Sequence, residues 1–241
     1  DYKGSIYFDI YSYNVIDDDE ERLTYGSRLS SPIFIPNQNK IVAINNHDGT
    51  SNILISDIDS IDFKQITNYD DGTYISSIDI MNNVLVFDLI DNHGRDVYSL
   101  NLEDFSVDPL SLNNYDEQDP AKYDDGMISS KDESGIFNLY INTDKQSGYI
   151  TNVLGGAFMP SVSIDGKVLY SLYDDASYNI AILDTVVFIP ENKIGYNNIE
   201  FEYPKYGNKI IDLNNSESVA YKTKMSKLSF MPKLLIDYNT V

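Results

Sequence analysis

Short apolar runs, each bounded by turn-forming residues, recur along most of the chain. They include residues 33–35, 40–44, 84–87 and 167–170. Runs of this length that are rich in β-branched and aromatic side chains predict strands. Turn sequences such as Asp165-Gly166 offer the positive φ angles that tight hairpins require. No apolar period of 3.6 residues persists for three helical turns, so the pattern predicts an all-β fold in which helices are minor.

The sequence also repeats, at intervals of 43, 44, 42 and 41 residues. The first repeated column has Asn or Asp before an apolar residue, and its members are Asp9, Asn52, Asp96, Asn138 and Asn179. The second column has Thr or Ser after an aliphatic residue, and its members are Thr24, Thr67, Ser111 and Thr151. The third column consists of Pro32, Pro120 and Pro160, with Ser76 in the equivalent place. Columns that keep one phase indicate a repeat architecture.

Each repeat has room for four short strands. A unit of about 40–45 residues that holds four antiparallel strands is typical of a β-propeller blade. The sequence therefore predicts an all-β β-propeller of four-stranded antiparallel blades, with about five blades or part-blades in this chain. We expect successive blades at residues 25–67, 68–111, 112–151 and 152–194, and we expect residues 1–24 to supply the outer strands of another blade.

The unit of residues 31–67 and the stretch Met159-Pro160-Ser161-Val162-Ser163-Ile164-Asp165-Gly166-Lys167 together resemble the WD-like repeat of the TolB family. The resemblance implies a propeller and identifies a blade type. It does not identify a function, because the same repeat occurs in periplasmic TolB, in tricorn-like and dipeptidyl-peptidase-type propellers, and in long bacterial surface proteins. The three repeats before residue 152, including residues 31–67, lack the Ser-x-Asp-Gly-Lys run, and the α/β domain that precedes the propeller in TolB is absent from these 241 residues.

The charge of the chain changes sign near residue 200. Residues 1–204 carry 11 basic and 35 acidic side chains, a net charge of −24, whereas residues 205–241 carry six Lys and three acidic residues, a net charge of +3. We therefore expect TolB-like blades in residues 1–200, as part of a longer propeller, and a separate basic, Tyr-rich segment in residues 201–241. This segment resembles the linker from such a propeller to an outer-membrane β-barrel, which implies a covalent continuation into a barrel. A strand that closes the propeller is the alternative.

The overall composition excludes several classes of function. The net charge is −21 and the isoelectric point is near 4.2, which excludes nucleic acid and anionic membrane surfaces as general electrostatic partners. The absence of Cys excludes disulfides, thiolate catalysis and Cys-ligated zinc. Because no stretch approaches 18 consecutive apolar residues, we expect no transmembrane helix.

No catalytic constellation is evident in the sequence. The two histidines, His47 and His93, occupy the same place in successive repeats, where hairpin turns are expected, and there is no Gly-x-Ser-x-Gly elbow. Carboxylates are numerous, and nothing marks one pair of them as a glycosidase pair. We therefore assign no catalytic residue, no metal ligand and no cofactor. Calcium is the metal that suits the abundant oxygen ligands best, although no run has the order of a calcium-binding loop.

We expect recognition at the loops that lead into the inner strands of the blades. The predicted partner-binding residues are aromatic or charged and are Tyr25, Arg28, Tyr69, Asp70, Tyr74, Tyr115, Asp119, Tyr123 and Phe158. Aromatic anchors beside acidic side chains suit a protein or peptide partner that carries cationic groups. In a chain without Trp the same tyrosines would also serve as packing residues, and the sequence leaves both roles open.

Three functions are compatible with the sequence. The favoured one is a non-catalytic binding or scaffold propeller of a bacterial cell-envelope protein, periplasmic or associated with the outer membrane. The second is the gating propeller of a serine peptidase, which would continue into a domain with a Gly-x-Ser-x-Gly elbow. The third is a glycan-binding or glycan-processing propeller, in which two carboxylates would converge at the channel mouth. A fold does not determine a function, so the favoured interpretation rests on the TolB resemblance.

Overall fold

The structure is a computed structural model, and it describes residues 7–81 and 83–194. These residues contain 17 β-strands and one short 3₁₀ helix, Glu191–Lys193, and they contain no α-helix. The predicted all-β fold class is confirmed. Within the same residues, no helix is long and apolar enough to cross a membrane. The basic segment that the sequence predicts at residues 201–241 lies outside the described residues.

The strands form one hairpin and four antiparallel sheets, which we number as blades 1 to 4 in chain order. The hairpin consists of β1 (Tyr11–Asn14) and β2 (Asp19–Arg22). Blade 1 consists of β3 (Leu29–Ile35), β4 (Lys40–His47), β5 (Thr50–Asp57) and β6 (Lys64–Gln65). Blade 2 consists of β7 (Tyr74–Met81), β8 (Val84–Ile90), β9 (Arg95–Asn101) and β10 (Val107–Pro109). Blade 3 consists of β11 (Glu117–Tyr123), β12 (Gly126–Lys131), β13 (Asn138–Asn142) and β14 (Ser147–Tyr149). Blade 4 consists of β15 (Ala157–Val162), β16 (Val168–Asp174) and β17 (Ser177–Leu183).

Blades 1, 2 and 3 each have four strands in sequential order, and they fall within the three predicted units between residues 25 and 151. The predicted four-stranded blade is confirmed for these units. Blade 4 differs, because it has three described strands. The chain beyond β17 runs beside the preceding blade, where the N–H of Ile189 donates to the carbonyl of Tyr149 at 2.9 Å. The prediction of a fourth strand within the described residues of the 152–194 unit was wrong.

The two main sequence columns meet in a buried contact that we term the hydroxyl clamp. In blade 1 the Thr67 hydroxyl donates to Asn52 Oδ1 at 3.0 Å and accepts from the Ile53 N–H at 2.8 Å. Asn52 Oδ1 also accepts from the N–H of Tyr69 at 2.8 Å. The clamp therefore ties the third strand of the blade, which contains Asn52 and Ile53, to the loop that follows the fourth strand, which contains Thr67 and Tyr69. Each of these bonds satisfies a polar group in a site where an unpaired group would be costly.

The hydroxyl clamp recurs with the period of the sequence. The same bonds join Asp9 and Thr24 beside the hairpin and Asn138 and Thr151 in blade 3. In blade 2 the Ser111 hydroxyl accepts from the N–H of Val97 at 3.1 Å and Asp96 accepts from the N–H of Asn113 at 3.0 Å, so this clamp has both main-chain bonds but no described bond between Ser111 and Asp96. In blade 4 the column residue Asn179 is exposed, and the place of the hydroxyl, 13 to 15 residues later, falls on Asn192, Lys193 or Ile194. The described part of blade 4 thus has no hydroxyl to hold a fourth strand, which accounts for the missing strand.

The proline column marks a β-bulge in the first strand of three blades. The register shifts in β3, β11 and β15 coincide with Ser31, Asp119 and Met159, each of which precedes a proline. These three residues have φ angles of 49°, 54° and 51°, in the left-handed region. A bulge bends the strand and increases its local twist. It therefore sets the direction of each inner strand as it crosses the blade.

The apolar core lies in three clusters of buried side chains. One joins blades 1 and 2 and includes the fully buried Phe87. A second joins blades 3 and 4 around Leu139, and a third joins Ile10 to blade 1. Removal of such apolar surface from water is the main favourable contribution to folding.

The junction between blades 2 and 3 is polar instead. Asp88 is fully buried, accepts from the hydroxyl and N–H of Ser77, and pairs with Arg95 at 3.3 Å. Across the junction, the N–H of Lys122 donates to Asp79 Oδ2 at 2.9 Å. A buried charge is tolerated only where it is paired and hydrogen-bonded. Ser76, Ser77 and Arg95 provide this for Asp88, whereas the buried Nε of Arg95 makes no hydrogen bond within the described residues.

Replacement of Thr67 by Val would remove the clamp hydroxyl and keep the shape of the side chain. The Ile53 N–H and Asn52 Oδ1 would lose a partner in a buried site, so we expect the free energy of unfolding to fall by about 1–3 kcal/mol. Chemical denaturation measures this change. Thr185→Val is the control, because Thr185 is exposed and belongs to no clamp. Equal effects of the two substitutions would contradict the structural role of the clamp.

The clamp residue Asp9 also makes stability depend on pH. Burial acts to raise the pKa of Asp9, but hydrogen bonds from the N–H groups of Ser27 and Gly26 and from Arg22 lower it well below its ordinary value. A group with a lowered folded-state pKa stabilises the fold above its unfolded pKa of about 3.9 and loses this contribution as the pH falls further. We expect Asp9→Asn to destabilise the chain at about pH 6 and less at about pH 2, by denaturant titration at each pH. An equal loss at both pH values would contradict this assignment.

Candidate functional site

The inner strands β3, β7, β11 and β15 are neighbours and point in the same direction. The N–H of Met159 donates to Asp119 Oδ2 at 3.0 Å, so the first halves of β15 and β11 meet. The bond from Lys122 to Asp79 joins the last halves of β11 and β7 in the same way. The loops that lead into these strands, together with the turns between second and third strands, therefore lie on one side, which we term the entry face. The opposite ends of the strands form the exit face.

Two of the predicted residues, Arg28 and Tyr74, line one cavity of about 530 Å³ on the entry face, which we term the Arg28 cavity. Arg28 has a φ of 57°, and its carbonyl accepts from the N–H of Asn46 at 3.2 Å. Its guanidinium lies over the ring of Tyr7, 5.1 Å from the ring centroid. Phe8, which is largely exposed, forms a further wall. The cavity thus combines a positioned cation with three aromatic rings.

A larger cavity of about 790 Å³, the inner-strand cavity, runs between β7, β11 and β15. It contains the predicted residue Asp119 and also Asp79. Burial raises the pKa of Asp119, and the nearby charge of Asp88 raises it further, whereas the bond from Met159 acts in the opposite direction. Asp79 and Asp119 each accept a main-chain hydrogen bond from the following blade, so they tie blades together. Asp124 also lines the cavity, and it lies 3.4 Å from the ammonium of Lys145.

The predicted residue Tyr115 lies in a third cavity of about 720 Å³, the Lys131 cavity, beside blade 3. The ammonium of Lys131 lies 3.9 Å from the ring centroid of Tyr140 and 4.8 Å from that of Tyr115. It is also 3.5 Å from Glu133. Burial raises the pKa of Tyr149, whose buried hydroxyl has no hydrogen-bond partner within the described residues. Lys131 therefore serves as the cation of this aromatic cavity.

The remaining predicted residues of the entry face are separate from these cavities. Tyr25 is exposed, and Arg22 lies 4.6 Å from its ring centroid. The ring of Tyr69 packs against the core of blades 1 and 2, and its main-chain N–H donates to the hydroxyl clamp, so Tyr69 has a packing role. Asp70 is exposed. Phe158 packs between Phe137 and Tyr178.

Tyr123 does not lie with the others. The sequence places it in a loop that leads into an inner strand, but it is the last residue of β11, where it pairs with Gly126 at the exit face. The prediction of its position was wrong, because the strand begins later than the local pattern indicates and extends to the Asp124-Asp125 turn. Its half-buried ring packs against the core of blades 3 and 4.

Neither histidine belongs to a catalytic arrangement in the described part of the chain. His47 is exposed, and its Nδ1 lies 3.2 Å from Asp48. His93 Nδ1 lies 2.6 Å from the clamp residue Asp96, which is itself bonded to the N–H of Asn113. Both contacts stabilise a turn between second and third strands, as the repeat position predicts. In residues 7–81 and 83–194 there is also no group of three His, Asp or Glu side chains placed to hold a metal ion.

Sequence reasoning missed much of the Arg28 cavity. Four polar residues lining it were not predicted, and they are Ser30, Ser31, Asn46 and Ser76. Asn46 directly precedes His47, and the turn predicted at His47 is the signal that could have placed Asn46 near the entry face. Ser76 takes the place of the proline column in its repeat, but nothing in the sequence marks it, or the adjacent Ser30 and Ser31, as lining a cavity. Ser76 comes beside the other two only when blade 2 packs against blade 1.

The fold is similar to that of several solved structures. TolB from Acinetobacter baumannii matches with a TM-score of 0.63 and 17% identity over 73% of this chain and 47% of that one. A protein assigned as TolB in Agrobacterium tumefaciens matches with a TM-score of 0.60 and 14% identity over 71% of this chain and 68% of that one. A puromycin hydrolase, solved as the S511A mutant, matches with a TM-score of 0.56 and 10% identity over 68% of this chain and 28% of that one.

No protein-family model matches the sequence, and no curated protein matches it. The chain spans about half the length of the A. baumannii TolB. At these identities the likeness concerns the fold, and it confirms the resemblance that the repeat predicts: the described part of this chain is a TolB-like β-propeller.

Proposed function

We propose that this propeller is a non-catalytic binding scaffold that docks a protein or peptide partner on its entry face. The observation that carries the proposal is the Arg28 cavity, where aromatic rings and an exposed cation meet at the mouth of the inner strands. Large aromatic side chains with polar tips are the residues that most often anchor protein interfaces. The likeness in fold to TolB supports this reading by analogy.

A bacterial cell-envelope location, in the periplasm or at the outer membrane, accords with the same likeness and forms part of the proposal. The strong negative charge of residues 1–204 also indicates the kind of partner. A partner with a basic surface would be attracted over distances of about a Debye length, roughly 8 Å at physiological salt. Docking of such a partner should therefore weaken as the salt concentration rises.

The likeness to puromycin hydrolase supports a second candidate, the gating propeller of a serine hydrolase. In that case the full gene would continue into a domain with a Gly-x-Ser-x-Gly elbow. The reading frame beyond Val241 distinguishes the two candidates. In both of them, the chain described here binds and does not catalyse.

Docking on the entry face can be tested with peptides selected from a random display library on the immobilised chain. We expect Tyr74→Ala to weaken binding of the selected peptides at least about tenfold without changing the melting temperature, because Tyr74 is exposed and lines the cavity. Tyr13→Ala is the control, since Tyr13 is an exposed tyrosine of the outer hairpin. Loss of binding in the Tyr13 variant with none in the Tyr74 variant would place the docking surface elsewhere.

The proposal also predicts that the isolated chain hydrolyses neither peptides nor glycosides. The physical reason is that His47 is exposed in its turn with Asp48 3.2 Å away, and His93 is bonded to the clamp residue Asp96, so neither imidazole is placed as the base of a nucleophile within the described residues. Release of fluorophore from peptide and glycoside substrates measures turnover. Turnover that disappears in His93→Asn or His47→Asn would show that the chain is an enzyme.

A further inference from the structure

The Arg28 cavity has a charge that contrasts with the rest of the protein. Among the described residues, eight line the cavity and none of them is acidic, although the chain has 38 Asp and Glu against 17 Lys and Arg. The one charged residue of these eight is Arg28. The cavity therefore presents a local positive site within an acidic surface, which favours an anionic group of a ligand at this point.

Arg28 also differs from the other two arginines of the chain. Arg22 lies 2.5 Å from Asp9, and Arg95 lies 3.3 Å from Asp88. Arg28 has no carboxylate within salt-bridge distance among the described residues. A guanidinium has a planar set of donors that matches the two oxygens of a carboxylate. The guanidinium lies over the ring of Tyr7, and it makes no hydrogen bond through its donor edge to another residue in the part of the chain that the structure describes.

Further donors in the cavity have no partner in the described part of the chain. The hydroxyls of Ser30, Ser31 and Tyr74 make no hydrogen bond there, and Asn46 accepts one from Ser51 through Oδ1, which leaves its amide donor unused. Ser76 is the exception, because its hydroxyl donates to Asp88. These donors and acceptors line the same cavity as Arg28, so they are available to the peptide group next to a carboxylate bound there.

We propose that the Arg28 cavity binds the C-terminal carboxylate of a peptide, with the terminal side chain against the rings of Tyr7 and Tyr74. A C-terminus carries a carboxylate, a side chain and an amide on one carbon, and the cavity offers a guanidinium, aromatic walls and amide or hydroxyl groups within about 530 Å³. Recognition of chain termini by converging donors is a recurrent mode of peptide binding. The inference deepens the proposed function, on which it rests, and it is compatible with a partner that is basic beyond its last residue.

The test uses two probes that differ only in the carboxylate, N-acetylphenylalanine and N-acetylphenylalaninamide. Each is titrated into the full ¹⁵N-labelled chain, and the amide resonances of Arg28, Ser30, Ser31 and Asn46 are followed. We expect saturable shifts with the acid and at least about tenfold weaker binding of the amide, because the charge-assisted bonds to Arg28 are lost. Equal binding of acid and amide, or shifts confined to other residues, would overturn the proposal. Tighter binding of inorganic phosphate than of the acid would also overturn it, since the site would then be a general anion site.

Variants of the cation provide the matched controls. Arg28→Gln should abolish binding of the acid, and Arg28→Lys should weaken it, because an ammonium keeps the charge but loses the planar fork. Lys122→Gln removes an exposed cation from the inner-strand cavity and should leave binding unchanged. Unaltered melting temperatures establish that each variant is folded. Retained binding in Arg28→Gln would overturn the proposal.

The result of the acid titration does not depend on whether displayed peptides bind. The carboxylate site and the docking of a partner on the entry face can therefore fail separately. If displayed peptides require Tyr74 but the acid does not bind at Arg28, the entry face docks a partner by another chemistry and the carboxylate site is wrong. If the acid binds at Arg28 and no displayed peptide depends on Tyr74, the carboxylate site stands and the docking of a larger partner through Tyr74 is wrong.

Discussion

The hydroxyl clamp is the constraint on which the blades depend. A blade must end its outer strand and send the chain back to the next inner strand, and the main-chain groups at this crossing are buried. One hydroxyl that both donates and accepts, together with one Asn or Asp oxygen, satisfies those groups at a fixed place in each unit, as Thr67 and Asn52 do in blade 1. Because an unpaired buried N–H is costly, the clamp fixes where the outer strand ends. Blade 4, where the hydroxyl is missing, has three described strands.

With the blade ends fixed, adjacent inner strands come together in register. Their contacts differ from one junction to the next. Blades 1 and 2 share an apolar core, whereas between blades 2 and 3 the N–H of Lys122 donates to Asp79 and the N–H of Arg95 donates to Asp116. Polar junctions demand complete pairing of their groups, and they specify geometry more than they add stability. The carboxylates of the inner-strand cavity are held by this pairing, so their first role is to align the blades.

The entry face has a different balance of interactions. Most of its aromatic and charged side chains already have partners: Tyr69 packs in the core, Phe158 packs between two rings, and Lys131 lies between Tyr115 and Tyr140. Arg28 and Tyr74 stand apart, because their polar groups remain available next to a cavity. A surface becomes a candidate binding site where such groups are left unpaired and converge, rather than where aromatic residues are merely frequent.

The sequence by itself determined the period, the strand content and the positions of the clamp residues, because hydrophobic alternation, turn chemistry and a buried polar contact are local and recur in every unit. It also indicated that His47 and His93 occupy turns. It could not determine which entry-face side chains share a cavity: Arg28 and Tyr74 are 46 residues apart, and they line one cavity only because blade 1 packs against blade 2. Nor could it place Tyr123 at the exit face, which depends on where β11 begins and ends, or place the segment after β17 beside blade 3, where the N–H of Ile189 donates to the carbonyl of Tyr149. Only the tertiary structure decides these contacts, because they join residues that are distant in the sequence.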